Sequence, residues 1–204
     1  ADKWENPNEW IEWTVSVEKS GLYAINFKAR QNTLNGMYTS RKLTINGELP
    51  CQEVANIRFA YDNNFTDYVI GDENGAYYFY LQEGKNTIRL ETTLGDLGAL
   101  LSMAEASLTQ LNLAYRKILM ITGASPDQNR DYKFDVMVPD ALKIINTEYQ
   151  NLIALEEEFI KVFGKGASAQ LSSLKNITLV VEQMDENYYN IGGLFTDFKD
   201  AIAS

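Results

Sequence analysis

An α+β protein is predicted, with an antiparallel β-sandwich over residues 1–95 and an antiparallel bundle of roughly four helices over residues 96–204. Three observations predict it. Apolar and polar residues alternate with a period of two through most of the first half. Turn signals such as Asn46-Gly47 and Glu83-Gly84 cut that half into short strands. From Leu97 the apolar spacing changes to three and four, the spacing of a helix face. The change falls in residues 81–95, LQEGKNTIRLETTLG, where Ile88, Leu90 and Thr92 share one side of a strand and Thr87, Arg89 and Glu91 the other. Thr92-Thr93-Leu94-Gly95 leaves almost no linker, so the bundle is expected to dock directly on the sandwich as one rigid two-part module.

Taken in order, residues 1–8 are polar around Trp4 and end in the turn signal Asn6-Pro7-Asn8. A strand over 10–17 places Ile11, Trp13, Val15 and Val17 inward, and one over 22–30 places Tyr23, Ile25, Phe27 and Ala29 inward; with the turn at 18–21 between them, they read as a hairpin. Residues 31–39 form a polar loop, and a strand over 41–45 offers Leu43 and Ile45 to the core before Asn46-Gly47 turns the chain. Residues 48–75 read as short strands and loops. In 77–81, Tyr77, Phe79 and Leu81 point one way and Tyr78 and Tyr80 the other. The first helix ends at Thr122-Gly123, the second begins at Pro139 and stops at Gly164, and two more run over about 168–184 and 187–203.

Composition removes several classes of function. Lys and Arg total 18 against 28 Asp and Glu, a net charge of -10 that is shared equally by residues 1–96 and 97–204. A phosphate-backbone surface needs a basic patch, so no nucleic-acid partner is expected. There are no histidines, which takes away the usual neutral-pH base and the commonest transition-metal ligand. Cys51 is the one cysteine; it has no disulfide partner and no histidine to activate it, and reads as a small apolar filler. No apolar run reaches the roughly 20 residues that cross a bilayer, so no direct membrane insertion is expected. Ala1 reads as an expression scar or an arbitrary cut, so the chain is expected to be an excised fragment.

Asp127, Asn129 and Asp131 have the first spacing of a calcium loop, but the position that needs Gly is Tyr132 and the one that needs Glu is Val138, so no metal is assigned there. Glu12 and Glu48 could serve as a carboxylate pair for glycoside cleavage, yet sequence cannot set their separation, and no catalytic residue is assigned. No cofactor is called for. Trp4, Trp10, Tyr38, Tyr61, Tyr78 and Tyr80 lie outside the inferred core. Sugar rings stack on such side chains while nearby Asn and Arg donors read the hydroxyls; the competing reading is that the second aromatic row is covered by the bundle.

The runs GLYAINFKARQN, SRKLTINGELP and YFYLQEGKNTIRLETTLG resemble the β-sandwich of carbohydrate-binding modules of the family 6 and 35 kind, within the galactose-binding-like jelly-roll fold. Continued into YRKILMITGASPDQNRDY, the match over most of residues 9–135 resembles an accessory region of large extracellular solute-binding proteins of Gram-positive sugar ABC transporters. The resemblance implies a non-catalytic carbohydrate-recognition or scaffold module of a surface lipoprotein. It would be anchored at the cell surface through its parent, with oligo- or polysaccharide and the parent's other domains as partners. It also puts a ligand at the loop-rich end, where Trp4, Arg30, Asn32, Tyr38 and Arg41 are the candidate binding residues. The acidic first strand that usually supplies a structural calcium ligand in such modules is absent or truncated in this pattern. Two other functions compete: a helical protein-docking module, and a carboxylate-based glycoside-cleaving enzyme.

Overall fold

Strands in the first half follow the alternation of the sequence. The computed structural model describes residue 4 and residues 6–203; residues 1–3, 5 and 204 lie outside the described residues, and with them the reading of Ala1. In chain order the strands are β1 (Trp10–Val17), β2 (Gly21–Ala24), β3 (Asn26–Ala29), β4 (Tyr38–Ile45), β5 (Ile57–Ala60), β6 (Thr66–Val69), β7 (Gly71–Asp72), β8 (Gly75–Ala76), β9 (Tyr78–Leu81) and β10 (Gly84–Thr93). The chain divides into two compact units, Ala1–Asp96 and Leu97–Ser204.

One layer of the first unit is an antiparallel sheet in the order β1-β10-β4-β5. The second is built from the antiparallel pairs β2/β9 and β3/β6. These pairs continue one another: Ile25 joins β2 to β3, and the small hairpin β7/β8 interrupts the facing strand. Its base is tied by Ile70 N–H to Ile25 O (3.0 Å) and Tyr77 N–H to Ile70 O (2.8 Å). Between the layers lies a core of Ile25, Leu43, Ile45, Val54, Phe59, Ile70, Phe79, Leu81, Ile88 and Leu90. The inward sets foreseen for the strands ending at Leu81 and Thr93 are the ones observed.

The hairpin expected between residues 10 and 30 is not formed. β1 pairs with β10, Ile11 opposite Leu90 and Val15 opposite Asn86, while β2 pairs with β9 in the other layer. Alternation tells which face of a strand is buried but not which strand lies beside it, and β10 is long enough to hold all eight residues of β1. The polar loop also ends sooner than expected, because Tyr38 and Thr39 already pair with Ala60 and Phe59.

The second unit contains α1 (Leu97–Thr122), α2 (Phe134–Met137), α3 (Pro139–Phe163), α4 (Ser168–Glu186) and α5 (Ile191–Ala203). The four longer helices pack in sequence order, α1 on α3, α3 on α4 and α4 on α5, and α1 meets α5 to close the bundle. Pro139 sits in the first turn of α3 and Gly164 ends it, as the sequence indicated. On α1 the buried stripe is Leu100, Ser107, Leu111, Ala114 and Ile118. Tyr115 of α1 stacks on Phe195 of α5 with centroids 5.0 Å apart. Asp127 and Asp131 accept backbone N–H groups of Asn129 and Lys133, both at 2.9 Å, so these two carboxylates shape local turns.

Candidate functional site

Among the described residues β9 pairs only with β2, so its other edge is open. A groove of about 880 Å³ is lined by residues of β9, by Leu22 of β2 and by residues from Ile45 to Glu53. Its volume is in the range of about 300–1,000 Å³ usual for ligand sites. Alternation along β9 turns Phe79 and Leu81 into the core and leaves Tyr78 and Tyr80 outward, 65% and 61% exposed. Leu22, directly opposite Tyr80 and 67% exposed, adds to that apolar surface. Among the described residues of the first unit, no strand covers these two rings.

The lining from residues 45–53 is polar and firmly built. Asn46 and Gly47, with φ of 53° and 83°, make a two-residue turn closed by Glu48 N–H to Ile45 O (3.0 Å) and Ile45 N–H to Glu48 O (2.9 Å). The Asn46 side chain donates to Asn86 Oδ1 (3.0 Å) and accepts Thr87 N–H (2.8 Å), which pins the turn to β10. Asn86 is buried and itself braces the turn before β10 by donating to Gln82 O (2.7 Å). Glu48, Glu53 and Gln82 line the groove with Cys51. Burial, followed by the hydrogen bond to Glu53, pushes the Cys51 thiol up from its ordinary value. Burial and the bond to Asp72 (3.2 Å), with a smaller effect of Glu53, do the same to the Tyr77 phenol.

The residues expected at the loop-rich end are distributed differently. Trp4 packs against the core, and the Arg41 guanidinium lies over its ring at 4.8 Å. Arg41 shares the inward parity of Leu43, whereas Tyr38 is on the outer side of the same strand. Arg30 stacks on Phe65 at 4.9 Å, and Asn32 is exposed. The fold thus pairs Trp4 with Arg41, and gives Arg30 and Tyr38 other partners.

Tyr38 belongs to a polar hub on Asp96. The Tyr38 hydroxyl (2.6 Å), the Arg58 guanidinium (2.8 Å) and the Asn56 amide (3.3 Å) all donate to Asp96 Oδ2. Arg58 also lies over the Tyr38 ring at 4.8 Å. Burial, and then the bond to Asp96, push the Tyr38 phenol up to about 12, while that same bond leads in holding the Asp96 carboxyl below its ordinary value. A raised phenol pKa means the folded state favours the neutral ring. Its stabilisation is present below the ordinary value of 10.0 and is lost as pH rises through about 12. Asp96 stabilises above the ordinary carboxylate pKa and loses this as pH falls through its depressed value. In an alkaline absorbance titration of the twelve tyrosines, Tyr38→Phe is expected to remove the latest ionisation step; a titration unchanged by the substitution would remove Tyr38 from that role.

Gln31 was not singled out by the sequence, yet it organises residues 31–37. Its amide donates to Leu34 O (3.1 Å) and Met37 O (3.2 Å), and its oxygen accepts Thr33 N–H (2.8 Å) and Leu34 N–H (2.9 Å). The side chain is buried, so Gln31→Ala leaves the Thr33 and Leu34 N–H groups to find other partners, while Leu34 O and Met37 O keep the N–H groups of Met37 and Tyr61. A loss of about 2 kcal/mol in urea unfolding is expected, with faster amide exchange at Thr33 and Leu34.

Glu53 and Gln82 were also missed, because the two groove walls are some thirty residues apart in sequence. The signal at hand was the Asn46-Gly47 turn with Pro50 after it, which marks a bent, polar segment but not the strand it faces. Glu48 lines the groove; Glu12 lies on β1, opposite Arg89. Among the described residues, no group of three or more Cys, Asp or Glu comes together as a metal site, and no helix is long and apolar enough to cross a membrane.

No protein-family model matches the chain. No curated protein matches it either. Among solved structures the chain is similar to a family 35 carbohydrate binding module from Clostridium thermocellum, at 23% identity and a TM-score of 0.33. The alignment covers 41% of this chain and 58% of that one, less than two thirds of the module's length.

Proposed function

We propose that the first unit is a non-catalytic carbohydrate-recognition module that binds an oligo- or polysaccharide along the β9 groove. The observation that carries the reading is the exposed pair Tyr78 and Tyr80 lining, together with Asn46, Glu48 and Glu53, a groove large enough for sugar rings. Flat aromatic faces take the C–H faces of sugars, and amide and carboxylate groups take the hydroxyls. Recognition of this kind needs no proton transfer, which suits a chain without histidine.

The setting we propose is a larger extracellular solute-binding protein of a sugar uptake system, held at the cell surface through the parent chain. Its support is the resemblance of the runs at residues 21–32, 40–50, 78–95 and 115–132. Calorimetric titration with a panel of neutral and charged oligosaccharides tests the binding reading. Binding is expected for at least one glycan, and the double variant Tyr78→Ala/Tyr80→Ala should weaken it by about tenfold or more. A panel with no binder, or a double variant that binds as tightly as the parent, overturns it.

A further inference from the structure

The groove's charge is one-sided. Glu48 and Glu53 stand on its wall beside Tyr77, Tyr78 and Tyr80, and no Lys or Arg lines it. Neither glutamate enters a salt bridge among the described residues. Two carboxylates and the exposed rings of Tyr78 and Tyr80 form a surface that favours a cation twice over, through charge-assisted hydrogen bonds and through the faces of the rings. The same surface repels a uronate, sulfate or phosphate group, which would be desolvated next to like charge with no donor cation to meet it.

Resting on the carbohydrate reading above, we propose that the groove selects glycans bearing protonated amino groups, that is, polymers of deacetylated hexosamine, over acetylated or uronate-bearing ones. A protonated sugar amine bonds to Glu48 or Glu53 while its ring lies against Tyr78 or Tyr80. Acetylation removes the charge and adds bulk; a uronate reverses the charge.

The test uses the full chain and four probes of matched length: a glucosamine hexamer, its N-acetylated counterpart, an oligogalacturonate and a lysine hexamer. All are titrated at a pH below that of amine deprotonation. The glucosamine hexamer is expected to bind about tenfold or more tightly than the acetylated one, since one charge-assisted hydrogen bond is worth that much. The oligogalacturonate should not bind. In Glu48→Gln/Glu53→Gln the ratio between the two hexosamine affinities should fall towards one, and in the parent it should fall as pH rises through amine deprotonation. Equal affinity for the two hexosamines, an unchanged ratio in the double variant, or a lysine hexamer that binds as tightly as the glucosamine one overturns this selectivity. If a neutral or acetylated glycan binds without such a preference, the carbohydrate reading stands and the selectivity fails; if no glycan binds, both fail together.

Discussion

Gly95→Ala is expected to destabilise the β unit by about 3 kcal/mol, the sum of a backbone term of about 1–2 kcal/mol and an overpacking term of similar size. Gly95 has φ of +51°, in the left-handed region where a Cβ is unfavourable. A Cβ there would lie 2.4 Å from both Asn56 Oδ1 and Ser40 Oγ and 2.8 Å from Ser40 Cβ. Neither neighbour is free to retreat. Ser40 is buried between Thr93 and Arg58 in the sheet, and the Asn56 amide is engaged with Asp96. Gly84→Ala is the comparison: φ is +89°, but nothing lies within 4 Å of the added carbon, so only the backbone term of about 1–2 kcal/mol remains. Urea unfolding of the two variants separates the terms. Equal losses in both would show that the space around Gly95 is not tight.

Gly95 also shows what the sequence could reveal and what it could not. As part of Thr92-Thr93-Leu94-Gly95 it was legible as the place where a strand pattern gives way to a helix pattern, because periodicity is a local property. The same property exposed the inward set Ile88, Leu90 and Thr92, the outward Tyr78 and Tyr80, the Asn46-Gly47 turn and the ends of α3 at Pro139 and Gly164. What Gly95 packs against was hidden, because Ser40 and Asn56 approach it only through strand pairing. Pairing partners are set by the competition among strands for edges and by core closure, which is why β1 was assigned to β2 when it lies beside β10.

The site follows the same division. Tyr38 and Arg41 are three residues apart, close enough to suggest one cluster. Odd spacing on a strand sends them to opposite faces, one to Asp96 and the other to Trp4. That much could have been read once Tyr38 was placed in β4 and not in the preceding loop. The groove could not, since its two walls meet only after Asn46 is tied to Asn86 and Thr87.

Gly71→Ala is expected to unfold the β7/β8 hairpin locally and, on the carbohydrate reading proposed above, to weaken glycan binding by about tenfold, with a smaller effect on overall stability. A Cβ at Gly71 would stand 2.2 Å from Gly75 O, 2.8 Å from Ala76 Cα and 2.9 Å from Gly75 C, all of them backbone atoms. No rotamer change relieves such a clash, so keeping the hairpin closed would cost about 3 kcal/mol or more. A hairpin of two-residue strands is marginal by itself, so opening it is the cheaper course and limits the global loss to about 1–2 kcal/mol. Opening frees Ala76 and Tyr77, which line the groove, and separates Tyr77 from Asp72. Amide exchange at residues 71–76 should therefore rise sharply while β9 and β10 keep their protection. The opposite result, a full loss of about 3 kcal/mol with the hairpin still protected, would make the hairpin an integral part of the core. Binding would then be expected to survive, because the wall that carries Tyr77 would still be in place.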